Sequence, residues 1–473
     1  MKLHFHGGAK TVTGSNYILE IEKDPSTDSA GSPQASLRTR IMIDCGLYQG
    51  SRELDKRNYE PFPYNPKEVD FVLITHAHLD HVGRLPKLIK DGYKGPIFAT
   101  APTIDFTHLM LEDSEKILEE KAVKAGVIPL FAQHEIDEVM SQFKRVEYAK
   151  PFQLTEGVEV CFRDAGHILG SAIIEIKIYD PSTGSGNKYR KIVFTGDLGN
   201  DPVPFLRPPA KIEGADYLVI ESAYGDRQHE PPEKCQILVE NVAEETAAKK
   251  GVLMIPSFAL ERTQQLLYHF NNLAEQHKIP RMPVFLDTPL GQKITEIYRK
   301  YPQYYDEEAL ALISGGDDIF KFPGLDFTYT TRQSKQINKV PPPKIIIAGS
   351  GMSQGGRILH HEVNYLSDPN NILLIVAYQS EGTLGRRILD GAKEVEILDQ
   401  KIPVRAKIEH ISGYSGHADS EQLFNFVKQT KNTLKKVFVV QGEEKPANVL
   451  AQRIRDFLGV EAEAPEFGQV AEL

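Results

Sequence analysis

Short stretches of alternating apolar and polar residues dominate the first two hundred positions of this 473-residue chain. Tyr17-Ile18-Leu19-Glu20-Ile21 and Arg40-Ile41-Met42-Ile43 read as one pair of strands. Ile173-Ile174-Glu175-Ile176-Lys177 and Lys191-Ile192-Val193-Phe194 read as another. Between the members of each pair lie stretches rich in Pro, Ser, Thr and Gly, residues 24–36 and 180–187, which predict long hairpin tips. Phe71-Val72-Leu73-Ile74 is an unbroken apolar run, as a buried strand requires, and residues 85–90 after it read as a helix. Beyond residue 210 the rhythm changes. Apolar runs at 252–255, 283–286, 344–348 and 372–376 alternate with helical stretches, the pattern of a mainly parallel sheet flanked by helices. Strands at 406–411 and 436–440 and a helix from about Pro446 to Phe457 close the chain. The expected class is α/β. One domain is built from residues 1–209 and 386–473, a second is nested at 210–385, and a ligand cleft is expected between them.

Composition bounds the setting more than the fold. Three cysteines, Cys45, Cys161 and Cys235, are odd in number and widely spaced. They imply buried thiols in a reducing compartment and no disulfide framework. The first residues enter a strand pattern at once, without the apolar segment of a signal peptide, and no apolar run reaches membrane-spanning length. A cytoplasmic protein with no membrane attachment is expected. The net charge of −10 argues against a polyanionic partner unless positive charge is gathered locally in a cleft.

The chemistry is concentrated in Thr75-His76-Ala77-His78-Leu79-Asp80-His81, directly after the apolar run. His76 and His78, alternate residues at a strand end, can point to one side, while Asp80 and His81 can face a second point nearby. Imidazole and carboxylate together suit zinc or another borderline transition metal. A polar turn needs no such spacing, and we read a metal site. Four more segments carry comparable residues: Asp44 in Ile43-Asp44-Cys45-Gly46, His167 in Gly166-His167-Ile168-Leu169-Gly170-Ser171, Asp197 in Thr195-Gly196-Asp197-Leu198-Gly199, and His417 in Ser415-Gly416-His417-Ala418-Asp419.

With the H-x-H-x-D-H signature and these motifs in order, the chain resembles the metallo-β-lactamase superfamily. The 220 positions separating Asp197 from His417 (417 − 197) hold a long insertion. Glu221 in Ile220-Glu221-Ser222-Ala223-Tyr224, Arg262 in Leu260-Glu261-Arg262-Thr263, Gly349-Ser350-Gly351-Met352 and Glu381-Gly382-Thr383-Leu384-Gly385-Arg386-Arg387 make that insertion resemble the β-CASP subgroup of nucleases. Bacterial homologues of the endonuclease subunit of the eukaryotic pre-mRNA 3′-end cleavage complex are similar over nearly the whole length.

The resemblance implies an αββα sandwich with a nested, parallel-sheet β-CASP domain. It implies two zinc ions per chain, one held by His76, His78, His167 and Asp197, the other by Asp80, His81, Asp197 and His417. Asp197 is the bridge, since a carboxylate can share its two oxygens between cations. Asp44 would orient an imidazole and fix its tautomer. Glu221 would stand beside His417, and Arg262, Arg386 and Arg387 would clamp phosphates of single-stranded RNA. In the eukaryotic look-alikes a histidine falls where this chain has Arg387. The implied activity is hydrolysis of RNA phosphodiesters by metal-activated hydroxide, from a monomer or a homodimer. Endonuclease and exonuclease modes both stay open, as does DNA as substrate. Two other readings remain at this point: a small-molecule hydrolase of thioesters or lactams with the same metals, and a non-catalytic scaffold subunit.

Overall fold

The structure is a computed structural model, and it describes residues 1–22, 38–179, 188–380 and 382–473. The two expected hairpin tips, 24–36 and 180–187, and Glu381 lie outside the described residues. Two compact units emerge: Met1–Asp201 with Pro208–Gln228 and His417–Leu473, and Pro202–Arg207 with His229–Gly416.

In the first unit, β1 (Lys2–Gly7), β2 (Asn16–Glu22) and β3 (Arg38–Ile43) pair antiparallel. The same sheet continues in parallel through β4 (Phe71–Leu73), β5 (Ile97–Thr100) and β6 (Phe143–Val146). A second sheet begins as an antiparallel meander of β7 (Phe152–Thr155), β8 (Val158–Asp164), β9 (Ala172–Tyr179) and β10 (Tyr189–Phe194). To it β11 (Tyr217–Glu221) adds in parallel. The chain then builds the second unit from β12 (Val252–Pro256), β13 (Val284–Asp287), β14 (Leu325–Phe327), β15 (Lys344–Ala348), β16 (Ile372–Ile375), a hairpin of β17 (Glu394–Ile397) and β18 (Gln400–Pro403), and β19 (Lys407–His410). It returns to the first unit with β20 (Lys436–Val440), which pairs with β11, β21 (Glu461–Glu463) beside β20, and β22 (Val470–Glu472), which pairs with β1.

Period-2 burial makes the sandwich. β1 buries Leu3 and Phe5 and leaves His4 and His6 half-buried. Phe5, Leu19 and Ile41 of the first sheet meet Phe162, Ile174, Phe194 and Phe438 of the second in one apolar layer. The outer face of the first sheet, with Val72 and Ile74, packs on Leu88, Leu111, Ile136 and Val139 from its helices. That of the second, with Val193, Leu218 and Val437, packs on Leu423, Val427, Leu450 and Ile454. Helix, sheet, sheet and helix therefore stack as four layers, and each of these side chains contributes roughly 1.5–3 kcal/mol by leaving water. The three cysteines are buried and unbonded, and burial pushes the Cys45 thiol up to about 12. No helix among the described residues is long and apolar enough to cross a membrane.

The second unit centres on a parallel sheet in the order β14-β13-β15-β12-β16-β19. Two strands sit elsewhere than the alternating pattern placed them. β19, read as part of the return to the first domain after residue 385, pairs with β16, so the second unit runs on to Gly416. β11, read as lying past the start of the insert at 210, pairs with β10 and β20 of the first unit. A short apolar run reads alike whichever sheet it joins. Residues 202–207 also belong to the second unit, where Phe205 is ringed edge-on by Tyr268, Tyr298, Tyr305 and Phe320.

Candidate metal centre

Every donor of the centre hangs on a strand end or a tight turn of the first unit. β4 ends at Leu73, the extended backbone carries His76 and His78 past it, and His78 opens the short helix Leu79–Val82 that holds Asp80 and His81. Gly46 lets this turn approach β3: an added Cβ would lie 1.5 Å from the carbonyl oxygen of Asp80. His167 is held in its turn by Ser171, whose Oγ accepts from the amides of His167 (3.1 Å) and Ile168 (3.2 Å). Asp197 and Glu221 come from the ends of neighbouring strands β10 and β11, and Leu198 N donates to Glu221 Oε1 at 2.6 Å. His417 enters just before helix Ser420–Thr430, which Asp419 caps by accepting from Glu421 N and Gln422 N.

His76, His78, His167 and Asp197 converge. His78 Nδ1 lies 3.1 Å from both His76 Nε2 and His167 Nε2, and Asp197 Oδ2 lies 3.4 and 3.6 Å from the same two nitrogens. A tetrahedral ion with bonds of about 2.0–2.1 Å has ligand–ligand edges of about 3.3 Å, so these atoms stand at coordination spacing. A second group joins Asp80, His81 and Asp197, with His81 Nε2 3.7 Å from Asp80 Oδ2 and 3.3 Å from Asp197 Oδ1. Asp197 Oδ1 is buried and, among the described residues, has no hydrogen-bond donor, which suits an oxygen meant for a cation. His417 does not fall in that second group. Its Nδ1 lies 3.2 Å from both oxygens of Glu221 and 3.8 Å from Asp197 Oδ2.

The electrostatics differ between the two donor groups. Burial, reinforced by neighbouring imidazoles, holds His76 below and His78 well below the ordinary imidazole value, so both are neutral and ready to ligate. Burial also disfavours charge on Asp197, yet His81, His76 and His417 hold its carboxyl well below the usual range. For His81, burial is outweighed by Asp197, Asp44 and Asp80, which raise it well above the ordinary value. Asp80 is raised by burial. His417 is raised to about 10, burial being overcome by Glu221 and Asp197, and burial raises Glu221.

Asp44, 1 % exposed, holds His81 and not the preceding histidines. Its Oδ2 lies 2.7 Å from His81 Nδ1, and it accepts from Thr75 N at 2.8 Å and Thr75 Oγ1 at 2.9 Å. Thr75 Oγ1 in turn meets His76 Nδ1 at 3.1 Å. One residue of the centre was missed in the sequence. Gln441, one past β20, places Nε2 3.0 Å from His81 Nε2. Its only sequence signal is a strand-end position parallel to that of Glu221.

The three arginines lie in the second unit and differ from one another. Arg262 is 5 % exposed, bonded to Gln265 and 5.7 Å from the Tyr414 ring centre, so a surface clamp is not its placement. Arg386 pairs with Asp390 at 2.9 Å. Arg387 is exposed.

Comparison with known proteins adds three family models. Residues 36–182 match the metallo-beta-lactamase superfamily domain, 263–388 the Beta-Casp domain, and 401–465 the Zn-dependent metallo-hydrolase RNA specificity domain. The chain is 36% identical over 469 residues to ribonuclease TTHA0252 of Thermus thermophilus, covering 99% of each. It is 30% identical over 474 residues to an RNase J-like protein of Methanocaldococcus jannaschii, again covering 99% of each. It is 30% identical to the transcription termination factor FttA of Methanosarcina mazei, over 97% of this chain and 69% of that protein.

Proposed function

We propose that this chain, which belongs to the β-CASP family of metallo-β-lactamase-fold hydrolases, is a ribonuclease that works with two zinc ions and hydrolyses phosphodiester bonds of single-stranded RNA. The observation that carries the reading is Asp197, a buried carboxylate common to all three donor groups, one oxygen facing His76 and His167 and the other facing His81. Three nitrogens and a carboxylate at tetrahedral spacing fit zinc, and Asp80, His81 and the second oxygen of Asp197 fit a companion ion. When bound, such a pair supplies Lewis-acid charge to a phosphoryl group and lowers the pKa of water.

The protein's own groups do the rest. Asp44 orients the His81 ring and fixes its tautomer, so that Nε2 faces the donor set. His417 groups with Asp197 and Glu221 rather than with Asp80 and His81, so we read it as a proton donor and not as the ion ligand that the resemblance implies. Glu221 binds Nδ1, which leaves Nε2 for substrate chemistry, and the carboxylates of Glu221 and Asp197 favour the protonated ring. A protonated imidazole beside the centre can give its proton to the leaving oxygen. Arg387, exposed on the second unit, is the arginine of the three best placed to take a phosphate.

Two measurements test the reading together. Metal analysis of the purified protein should find close to two zinc ions, and end-labelled single-stranded RNA should be degraded. A cleavage ladder would show internal cutting, and mononucleotides would show cutting from an end. Turnover of a thioester or lactam panel with RNA left intact would refute it.

A further inference from the structure

Asp197 divides its two oxygens between donor groups of unequal size. His76, His78 and His167 complete a set of four on one side, whereas Asp80 and His81 bring the other only to three. The second group is thus open by one place, which a water or a further side chain can fill. Two buried side-chain oxygens of the centre have no hydrogen-bond donor among the described residues: Asp197 Oδ1 and Gln441 Oε1. Both belong to residues that stand against His81 Nε2, Asp197 Oδ1 at 3.3 Å and the Gln441 amide at 3.0 Å. A buried oxygen left without a partner costs about 1–3 kcal/mol, and two of them beside one imidazole call for a shared explanation.

His81 has one lone pair to give. Asp44 accepts the Nδ1 proton at 2.7 Å, so Nε2 carries the lone pair and faces the donor set. As placed, Gln441 Nε2 donates to that lone pair and, at 3.3 Å, to Val12 O. An ion on His81 takes the same lone pair, and the NH2 group then faces a nitrogen already in use. A half-turn about the last side-chain bond exchanges the two ends of the amide and puts a neutral oxygen in the nitrogen's place. The spacing of 3.0 Å from His81 Nε2 is close to the edge of about 3.3 Å between two donors of one tetrahedral ion.

The backbone is shaped to bring this amide in. Gln441 directly follows β20 with φ +48°, a left-handed conformation that few side chains adopt, and its N–H donates to Gly8 O at 2.7 Å. Gly8 is itself left-handed at φ +61°, and an added Cβ would lie 2.2 Å from Gln441 Oε1. A bare Cα at position 8 therefore makes the room in which the amide sits, 3% exposed. Backbone strain of this kind gathers where a fold must aim a functional group.

We propose that Gln441 supplies its amide oxygen as the fourth protein donor of the second position, and that this position exchanges zinc for manganese(II) while the first keeps zinc. The assignment rests on the two-ion reading above and adds a ligand and a metal preference to it. The preference follows from the donors. Three imidazole nitrogens and one oxygen suit zinc, whereas one nitrogen and three oxygens, from Asp80, Asp197 and Gln441, suit a harder cation. The amide oxygen brings a dipole and no charge, and zinc gains less from it than from an imidazole.

The test reads metal rather than turnover. The purified full chain, loaded with zinc, is equilibrated with graded concentrations of a chelator, and elemental analysis follows what remains bound. Zinc should leave in two steps, one equivalent at a time. Manganese(II) added to the one-zinc protein should bind as one equivalent, seen by electron paramagnetic resonance. Gln441→Asn is one methylene shorter and tolerates positive φ. It should weaken the zinc that leaves first by more than the roughly 10- to 100-fold that loss of an outer-shell partner costs, and spare the zinc that leaves last. Gln441→His, which puts an imidazole in the amide's place, should bring the two steps together and shut manganese out. A Gln441→Asn protein that holds both ions as the wild type does would overturn the ligand and leave the two-ion reading standing. Zinc lost from the wild type in a single step, or manganese that fails to enter, would overturn the metal preference. A chain that holds one ion under every condition would overturn the two-ion reading as well.

Discussion

Replacing Glu221 by Gln isolates what one carboxylate does for the centre. The side chain is 1% exposed and receives three partners: Leu198 N at 2.6 Å, Ala223 N at 3.3 Å, and His417 Nδ1, which lies 3.2 Å from each oxygen. All three are donors when His417 carries its proton on Nδ1. Glutamine offers one acceptor oxygen and an NH2 group that can only donate. Whichever way the amide turns, one donor meets a donor. With the oxygen towards Leu198 N the NH2 faces Ala223 N, and turned the other way it faces Leu198 N, so one backbone N–H is left unpaired at about 1–3 kcal/mol while His417 Nδ1, 3.2 Å from both positions, meets a donor on one side. The charge that raises His417 to about 10 also disappears, so its pKa falls. The protonated ring should then be lost at lower pH, and the alkaline limb of the rate profile should move down. Single-turnover cleavage of end-labelled RNA, measured across pH beside zinc content, is the assay. The rate at neutral pH should drop by roughly two to four powers of ten, the usual worth of a positioned acid, with zinc retained. A variant that cuts at the wild-type rate, or that loses its zinc in step with its activity, would refute the proton-donor argument.

Other consequences can be checked separately. Asp197→Ala should reduce metal at both positions in elemental analysis, since its two oxygens face both donor groups; full retention would remove the bridge. Arg387→Ala should leave metal content intact and lower the slope of log Kd for single-stranded RNA against log salt by about 0.7, read from a salt titration. Glu362 is fully buried, bonded among the described residues to Ser353 alone, and raised by burial to about 8. Its folded pKa exceeds the ordinary carboxyl value, so the protonated residue's contribution is complete below about pH 4 and is lost as pH rises towards 8. Glu362→Gln should therefore raise the denaturation midpoint by a few kcal/mol equivalent at pH 8, with almost no gain at pH 4.

The metal turn could be read from sequence because its logic is local. His76, His78, Asp80 and His81 lie within a few residues of the end of β4, and the apolar run before them announces that strand. Asp44, His167, Asp197 and His417 carry no such local proof and were found through the order of their motifs. What stayed hidden depends on contacts distant along the chain. Gln441 reaches His81 across 360 positions, and nothing near it marks it as part of a site. Arg262 looks like any helix-start cation until its burial beside Tyr414 is seen. β19 was recognised as a strand, but its sheet was not, because register and partner are decided by packing rather than by the apolar run itself.

The position of the second unit between β11 and His417 gives the molecule an order of assembly. Translation delivers His76, His78, His167 and Asp197 early, then spends the span from His229 to Gly416 on the other unit, roughly 10–40 s at ordinary elongation rates. Throughout that interval β11 lacks β20 and β1 lacks β22, so both present rows of unpaired amides and carbonyls to passing chains and to chaperones. The four-donor set is complete in this nascent chain, whereas the imidazole beside Glu221 has yet to be made. A polypeptide still on the ribosome can thus present a complete four-donor set while lacking His417 and the β20 strand that follows it.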